Sequence, residues 1–60
     1  MSNTELVQML ADGYTVREIA VKKNLKYGPL QKRIFNLRKD CLCLSVAHLV
    51  MNYSRKRLIK

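Results

Sequence analysis

Apolar residues recur along this chain at helical spacing, in short runs separated by breakers. Leu6, Val7 and Leu10 stand at i, i+1 and i+4 with Met9 beside them, which is one inward stripe of a helix. Ile19 and Ala20 form a second, shorter inward set. Leu30, Ile34, Leu37 and Cys41 fall within about 40° of a common direction when each residue turns the chain by about 100°. Val46, Leu49, Val50 and Tyr53 give a fourth stripe. Gly13, Gly28 and Pro29 interrupt these runs, with Asn24 as a softer break. The pattern predicts helices over about 3–12, 15–23, 28–40 and 46–56 in a single all-α, compact four-helix domain.

Local signals support those starts and stops. Asn3 or Thr4 is expected to cap the first helix, with Glu5 favoured in its first turn by the helix dipole. Gly13 suits the left-handed residue that closes it. Thr15-Val16-Arg17-Glu18 has capping-box spacing and is the best start signal in the chain. Asn24 is expected to turn left-handed after Lys23 and to send Leu25 into the core. Pro29 belongs in a first turn, where its missing N–H costs little. Ser45 is the expected cap of the last helix, and Arg55, Lys56, Arg57 and Lys60 suit its C-terminus. The β-branched, apolar run 41–51 also reads as a buried strand, but no second strand is available to pair with it, so helix is preferred.

Length and charge narrow the function. With 60 residues, 12 Lys plus Arg and 4 Asp plus Glu, the chain carries a net charge of +8. No apolar run approaches the roughly 18 residues of a membrane span. Residues 1–16 hold no Lys or Arg, so no signal-peptide basic region is expected. Apolar residues make up 48%, too many and too periodic for a disordered basic tail. A domain this small rarely encloses a deep pocket, so no enzyme activity, cofactor or small-molecule ligand is expected. The basic excess points to an anionic partner, most often nucleic acid.

The charge is also placed unevenly. Eight basic residues and one acidic one, Glu18, lie between Arg17 and Lys39, whereas residues 41–54 carry no Lys, Arg, Asp or Glu. The side of the third helix opposite its apolar stripe holds Gly28, Lys32, Phe35, Asn36 and Lys39, with Gln31 and Arg38 on one shoulder and Arg33 on the other. Two helices joined by a turn of three to four residues, here Asn24-Leu25-Lys26-Tyr27, form the helix-turn-helix arrangement. Its second helix is sized for the DNA major groove, about 12 Å wide.

The string Leu10-Ala11-Asp12-Gly13-Tyr14-Thr15-Val16-Arg17-Glu18-Ile19-Ala20 resembles the "LLAxGxSxKEIA" segment of LuxR-type (GerE-like) DNA-binding domains. Without a gap, Asn24-Leu25 falls on that family's turn, and Leu30, Ile34 and Leu37 on its recognition-helix core positions. Cys41 and Cys43 replace the Leu and Val of its "LGV" connector, Leu49-Val50 falls on its fourth helix, and Leu58-Ile59 on its terminal Leu-Ile. The match covers about 50 residues. The family's opening "LTxRE" segment is missing, which shortens the first helix. Lys23 takes a usually apolar position and is expected to snorkel. Lys26-Tyr27-Gly28-Pro29 replaces the family's "S-x-x-T" helix start.

The resemblance implies a cytoplasmic DNA-binding regulator of bacterial or mobile-element origin. By position in the family, Gln31, Lys32 and Phe35 would face base edges: Gln31 an adenine, Lys32 a guanine, Phe35 a thymine methyl. For Phe35 the alternative is packing on a partner subunit or on the first helix. Thr15, Arg17, Lys22, Lys26, Tyr27, Arg33, Arg38 and Lys39 are phosphate candidates. Capping alone explains Thr15, and Tyr27 can equally lie against the core. Val46, Leu49, Val50 and Tyr53 are candidates for pairing into a homodimer.

Cys41 and Cys43 read as small buried apolar residues in a reducing compartment. Their C-x-C spacing is poorly suited to a mutual bridge, and with His48 it supplies only three of the four ligands a structural zinc site needs, so no metal is expected. His48 reads as a first-turn surface residue, and Met9 and Met51 as packing residues. Two other functions compete with sequence-specific DNA binding. One is a protein-interaction module that kept the fold, and the other a non-specific nucleic-acid-binding basic domain.

Overall fold

In a computed structural model describing residues 1–60, the chain forms four helices and no strand: α1 (Asn3–Ala11), α2 (Val16–Lys22), α3 (Tyr27–Asp40) and α4 (Val46–Arg55). α1 packs chiefly on α4 and α2 on α3, while α3–α4 and α1–α2 contacts close the bundle. The strand reading of 41–51 is thereby excluded. The observed bounds differ from the expected ones by at most one residue at any end.

The core is entirely apolar. Leu6, Val7, Ile19 and Leu49 have no exposed surface, and Met9, Ala20, Leu30, Ile34, Leu37, Cys43 and Ile59 complete it. Each fully buried aliphatic side chain contributes about 1.5–3 kcal/mol, which matters in a domain with so little interior. The radius of gyration, 10.6 Å, agrees with the roughly 10.4 Å that length scaling gives for a compact chain of this size. The C-terminal segment is tied down as well. Ile59 is buried, and the Lys60 N–H donates to Gln8 Oε1 of α1 at 2.8 Å.

All four helices end the same way. In each, the residue after the C-cap is left-handed and the next two amides fold back onto carbonyls of the last turn, the Schellman arrangement. After α1, Gly13 (φ 98°) donates to Leu10 O and Tyr14 to Met9 O. After α2, Asn24 (φ 55°) donates to Val21 O and Leu25 to Ala20 O. After α3, Leu42 (φ 59°) donates to Lys39 O and Cys43 to Arg38 O at 2.7 Å. After α4, Arg57 (φ 57°) donates to Ser54 O and Leu58 to Tyr53 O. Gly13 and Asn24 behave as expected. Leu42 and Arg57 are not residue types that announce a left-handed turn.

The helix starts divide similarly. Thr15 and Glu18 form the full capping box: Thr15 Oγ1 accepts from the Glu18 N–H (3.1 Å) and Glu18 Oε1 from the Thr15 N–H (3.0 Å). Ser45 caps α4 through the His48 N–H. The α1 cap is Ser2, one residue earlier than expected, and this leaves the Asn3 side chain free to accept from Arg33. α3 begins after Lys26 with no side-chain cap. Pro29 is its third residue, where a backbone N–H has no partner inside the helix.

Three expectations are corrected. Leu25 stays 43% exposed, lining a shallow surface groove with Val21 and Tyr27 instead of entering the core. Met51 is also exposed, lying on the outer side of α4 with Arg55 against its sulfur. Cys41 and Cys43 are joined by a disulfide. The intervening left-handed Leu42 brings their Cα atoms to 5.3 Å, inside the roughly 4.4–6.8 Å range that bridges require. They are therefore not free core thiols, although Cys43 is buried and Cys41 half-buried.

Candidate nucleic-acid interface

The inward stripe of α3 (Leu30, Ile34 and Leu37) fixes which side chains remain outside. Gln31 and Phe35 form one exposed row along the helix, and Lys32 and Asn36 a neighbouring row, each pair one turn apart. Phe35 is 58% exposed. Gln31, Lys32, Asn36 and Lys39 make no side-chain hydrogen bond or ion pair; the chain's single ion pair joins Lys23 to Glu5 at 3.6 Å. Asn36 belongs to this surface but was not among the base-facing candidates. Its position four residues after Lys32 was the signal for it.

The basic candidates fall into two groups. Lys26, Lys32 and Lys39 are exposed and unengaged. The others have partners within the fold. Arg17 lies over the Tyr27 ring at 5.1 Å and Lys22 over the Tyr14 ring at 5.4 Å, arrangements that hold a cation loosely while leaving it wet. Tyr27 therefore stands at the surface under Arg17, neither in the core nor free. Arg33 is half-buried; its Nε donates to Asn3 Oδ1 at 3.0 Å and its terminal nitrogen to Met1 O at 2.6 Å, tying α3 to the start of α1. Arg38 is half-buried and donates to Leu44 O, tying α3 to the connector before α4. Its Nε is buried without a partner.

Thr15 is engaged in its capping box. That bonding also shifts an ionisation: the backbone N–H of Thr15, and then its side chain, hold the exposed Glu18 carboxyl below the ordinary carboxylate range. Lys23 has its side chain 35% exposed and its ammonium on the Glu5 carboxylate at 3.6 Å. His48 sits in the first turn of α4, as expected, and its Nδ1 accepts from the Leu44 N–H at 3.2 Å. On α4, Leu49 is wholly inside and has nothing to offer a second copy. Val46, Val50 and Tyr53 are half-buried against the core.

No protein-family model, curated protein or solved structure matches this chain. No group of three or more His, Cys, Asp or Glu side chains is placed to hold a metal ion. No helix is long and apolar enough to cross a membrane.

Proposed function

We propose that this chain is a small sequence-specific DNA-binding protein that lays α3 in the major groove and acts as a transcription regulator of the LuxR-like helix-turn-helix kind. The observation that carries the reading is the outer surface of α3. An amide (Gln31), a lysine (Lys32), an aromatic ring (Phe35) and a second amide (Asn36) stand exposed, with no polar partner inside the protein. Lys26 and Lys39 flank them near the two ends of the helix. Amides and lysine are the groups that read adenine and guanine edges, and an apolar ring suits a thymine methyl. Free lysines at the margins suit phosphates. With Arg33 and Arg38 occupied as internal ties, the phosphate contacts fall to Lys26 and Lys39, aided by Arg17 and Lys22 from α2.

The test is selection of a site from a random duplex pool at near-physiological salt, followed by titration of the winner against random duplex. Enrichment of a short motif supports the reading. Lys32→Ala and Gln31→Ala should then each cost about 1–3 kcal/mol of discrimination at one position. Lys39→Ala should weaken all duplexes alike and lower the salt slope by about one unit. Equal, salt-sensitive binding to every duplex would replace the reading with a non-specific one. A protein-interaction module is the second reading. It is favoured by the exposure of Phe35 beside Leu42 and Leu44, and absence of any duplex binding would select it.

A further inference from the structure

The most exposed aliphatic side chains of the α3–α4 connector, Leu42 (83%) and Leu44 (85%), flank a residue that is almost wholly buried, Cys43. Cys43 and both leucines line a shallow groove of about 310 Å³ together with Phe35, Arg38 and Lys39. Its disulfide partner, Cys41, is half-buried and opens on another side, into a groove shared with Asp40, Tyr53 and Lys56. The two half-cystines of one bond thus border different grooves. The more exposed one, Cys41, shares its groove with a lysine and an aspartate, and the buried one, Cys43, shares its groove with two cations.

We propose that Cys41–Cys43 is a reversible thiol–disulfide exchange site whose reductant is a low-molecular-weight thiol, and that its reduction releases the connector between α3 and α4. Exchange begins when a thiolate attacks one sulfur and expels the other. Cys41 is the more exposed of the two and is taken as the point of attack; in its groove the attraction of Lys56 for an incoming anion offsets the repulsion of Asp40. The S–S bond breaks as the new bond to Cys41 Sγ forms, and Cys43 leaves as a thiolate. Arg38 and Lys39 line the groove of Cys43, and the Arg38 Nε is a buried donor with no partner. Adjacent cations favour the thiolate and so favour its departure. A second molecule of thiol then attacks the small-thiol sulfur of the mixed disulfide and frees Cys41. Two electrons and two protons have passed from two small thiols to two cysteines, and the small thiols leave as their own disulfide.

The connector is built to respond. Leu42 holds a left-handed backbone that costs a branched residue energy. The bridge across it closes the chain at that point. Once it opens, the turn keeps only non-covalent ties: the Leu42 and Cys43 amides on the Lys39 and Arg38 carbonyls, Arg38 on the Leu44 carbonyl, and the Leu44 N–H on His48.

The test equilibrates the intact protein in buffers running from oxidised to reduced glutathione, traps thiols by alkylation, and reads mass. Two alkylations should appear together in a single transition, and amide exchange at Leu42–Ser45 should quicken in the reduced form with helical circular dichroism retained. In oxidised glutathione, Cys43→Ser should form a mixed disulfide at Cys41 at least severalfold faster than Cys41→Ser does at Cys43. Thiols that stay free in oxidised glutathione would overturn the proposal. So would a bridge that stays closed in excess reduced glutathione, or unchanged exchange at the connector. The wild-type titration is decisive even where a serine variant fails to fold.

Discussion

The α1–α2 and α3–α4 junctions are built to the same plan. Each has a C-cap, a left-handed residue, an amide folded back onto the preceding turn, and a hydroxyl that caps the next helix. They reach it by different physics. At the first, Gly13 accepts φ 98° at no steric cost, and Glu18 reaches back to the Thr15 N–H. At the second, Leu42 is in a conformation its side chain disfavours. The turn there is held by a buried Cys43, a covalent bridge to Cys41, and Arg38 on the Leu44 carbonyl. In place of a glutamate reaching back to the cap, His48 accepts from the Leu44 N–H one residue earlier. One junction follows from local propensity, and the other is imposed by packing and a covalent bond.

The largest expected effect separates those two causes. Cys43→Ser removes a bridge closing a very short loop, about 1.5 kcal/mol on chain-entropy grounds. It also buries a hydroxyl in an apolar core, which costs about 1–3 kcal/mol more if unpaired. A total loss of about 2.5–4.5 kcal/mol is expected in urea unfolding under non-reducing conditions. Tyr14→Ser at the matching position of the first junction should cost only about 1–2 kcal/mol, because that half-buried ring carries part of a full aromatic burial and no covalent constraint. Equal losses would mean that the two turns are held alike.

The same contrast explains what could be read in advance. Gly13, Asn24 and the Thr15–Glu18 box were legible because those residue types prefer the conformations they adopt. Leu42 and Arg57 were not, since nothing about leucine or arginine favours a left-handed turn. Their geometry follows from helix ends that must satisfy their carbonyls. The outer face of α3 was legible from the 100° repeat alone. The engagement of Arg33 and Arg38 was not, because their acceptors come from other elements, Asn3 and Met1 in one case and Leu44 in the other. Leu25 and Met51 were misplaced for a related reason: apolar character does not say which way a residue points once it leaves the stripe. The Cys41–Cys43 bridge was not legible, because it depends on the left-handed backbone of Leu42.

Glycine exchange offers a smaller and more specific contrast, because the two junctions should respond with opposite signs. A Cβ at Gly13 meets nothing within 4 Å, so Gly13→Ala isolates the backbone cost of a left-handed alanine, about 1–2 kcal/mol. Leu42→Gly relieves that cost and gives up little burial, since the leucine is mostly in solvent. It also loosens the unfolded chain by about 0.5–1 kcal/mol. A net gain of about 0.5–1 kcal/mol is expected in the disulfide-bonded protein, read as a raised thermal midpoint. A loss would show that Leu42 contributes contacts outweighing its strain.

The smallest effect concerns acid. Only the first junction has a carboxylate in its cap, and Glu18 is held below its ordinary range by the Thr15 N–H and side chain. A carboxyl whose folded value is depressed stabilises the protein when ionised. The contribution is fully present above the ordinary carboxylate value of 4.5 and is lost as pH falls through the lower, folded one. Glu18→Gln can still accept from Thr15 but carries no charge to titrate. The midpoint of the wild type should therefore exceed that of Glu18→Gln at neutral pH, and the two should converge as the solution is acidified below that value. Because Glu18 is fully exposed, the gap should be modest and should shrink with added salt. A gap that persists in strong acid would assign the stabilisation to side-chain packing rather than to the ionised cap, and would make the first junction less dependent on local chemistry than its sequence implies.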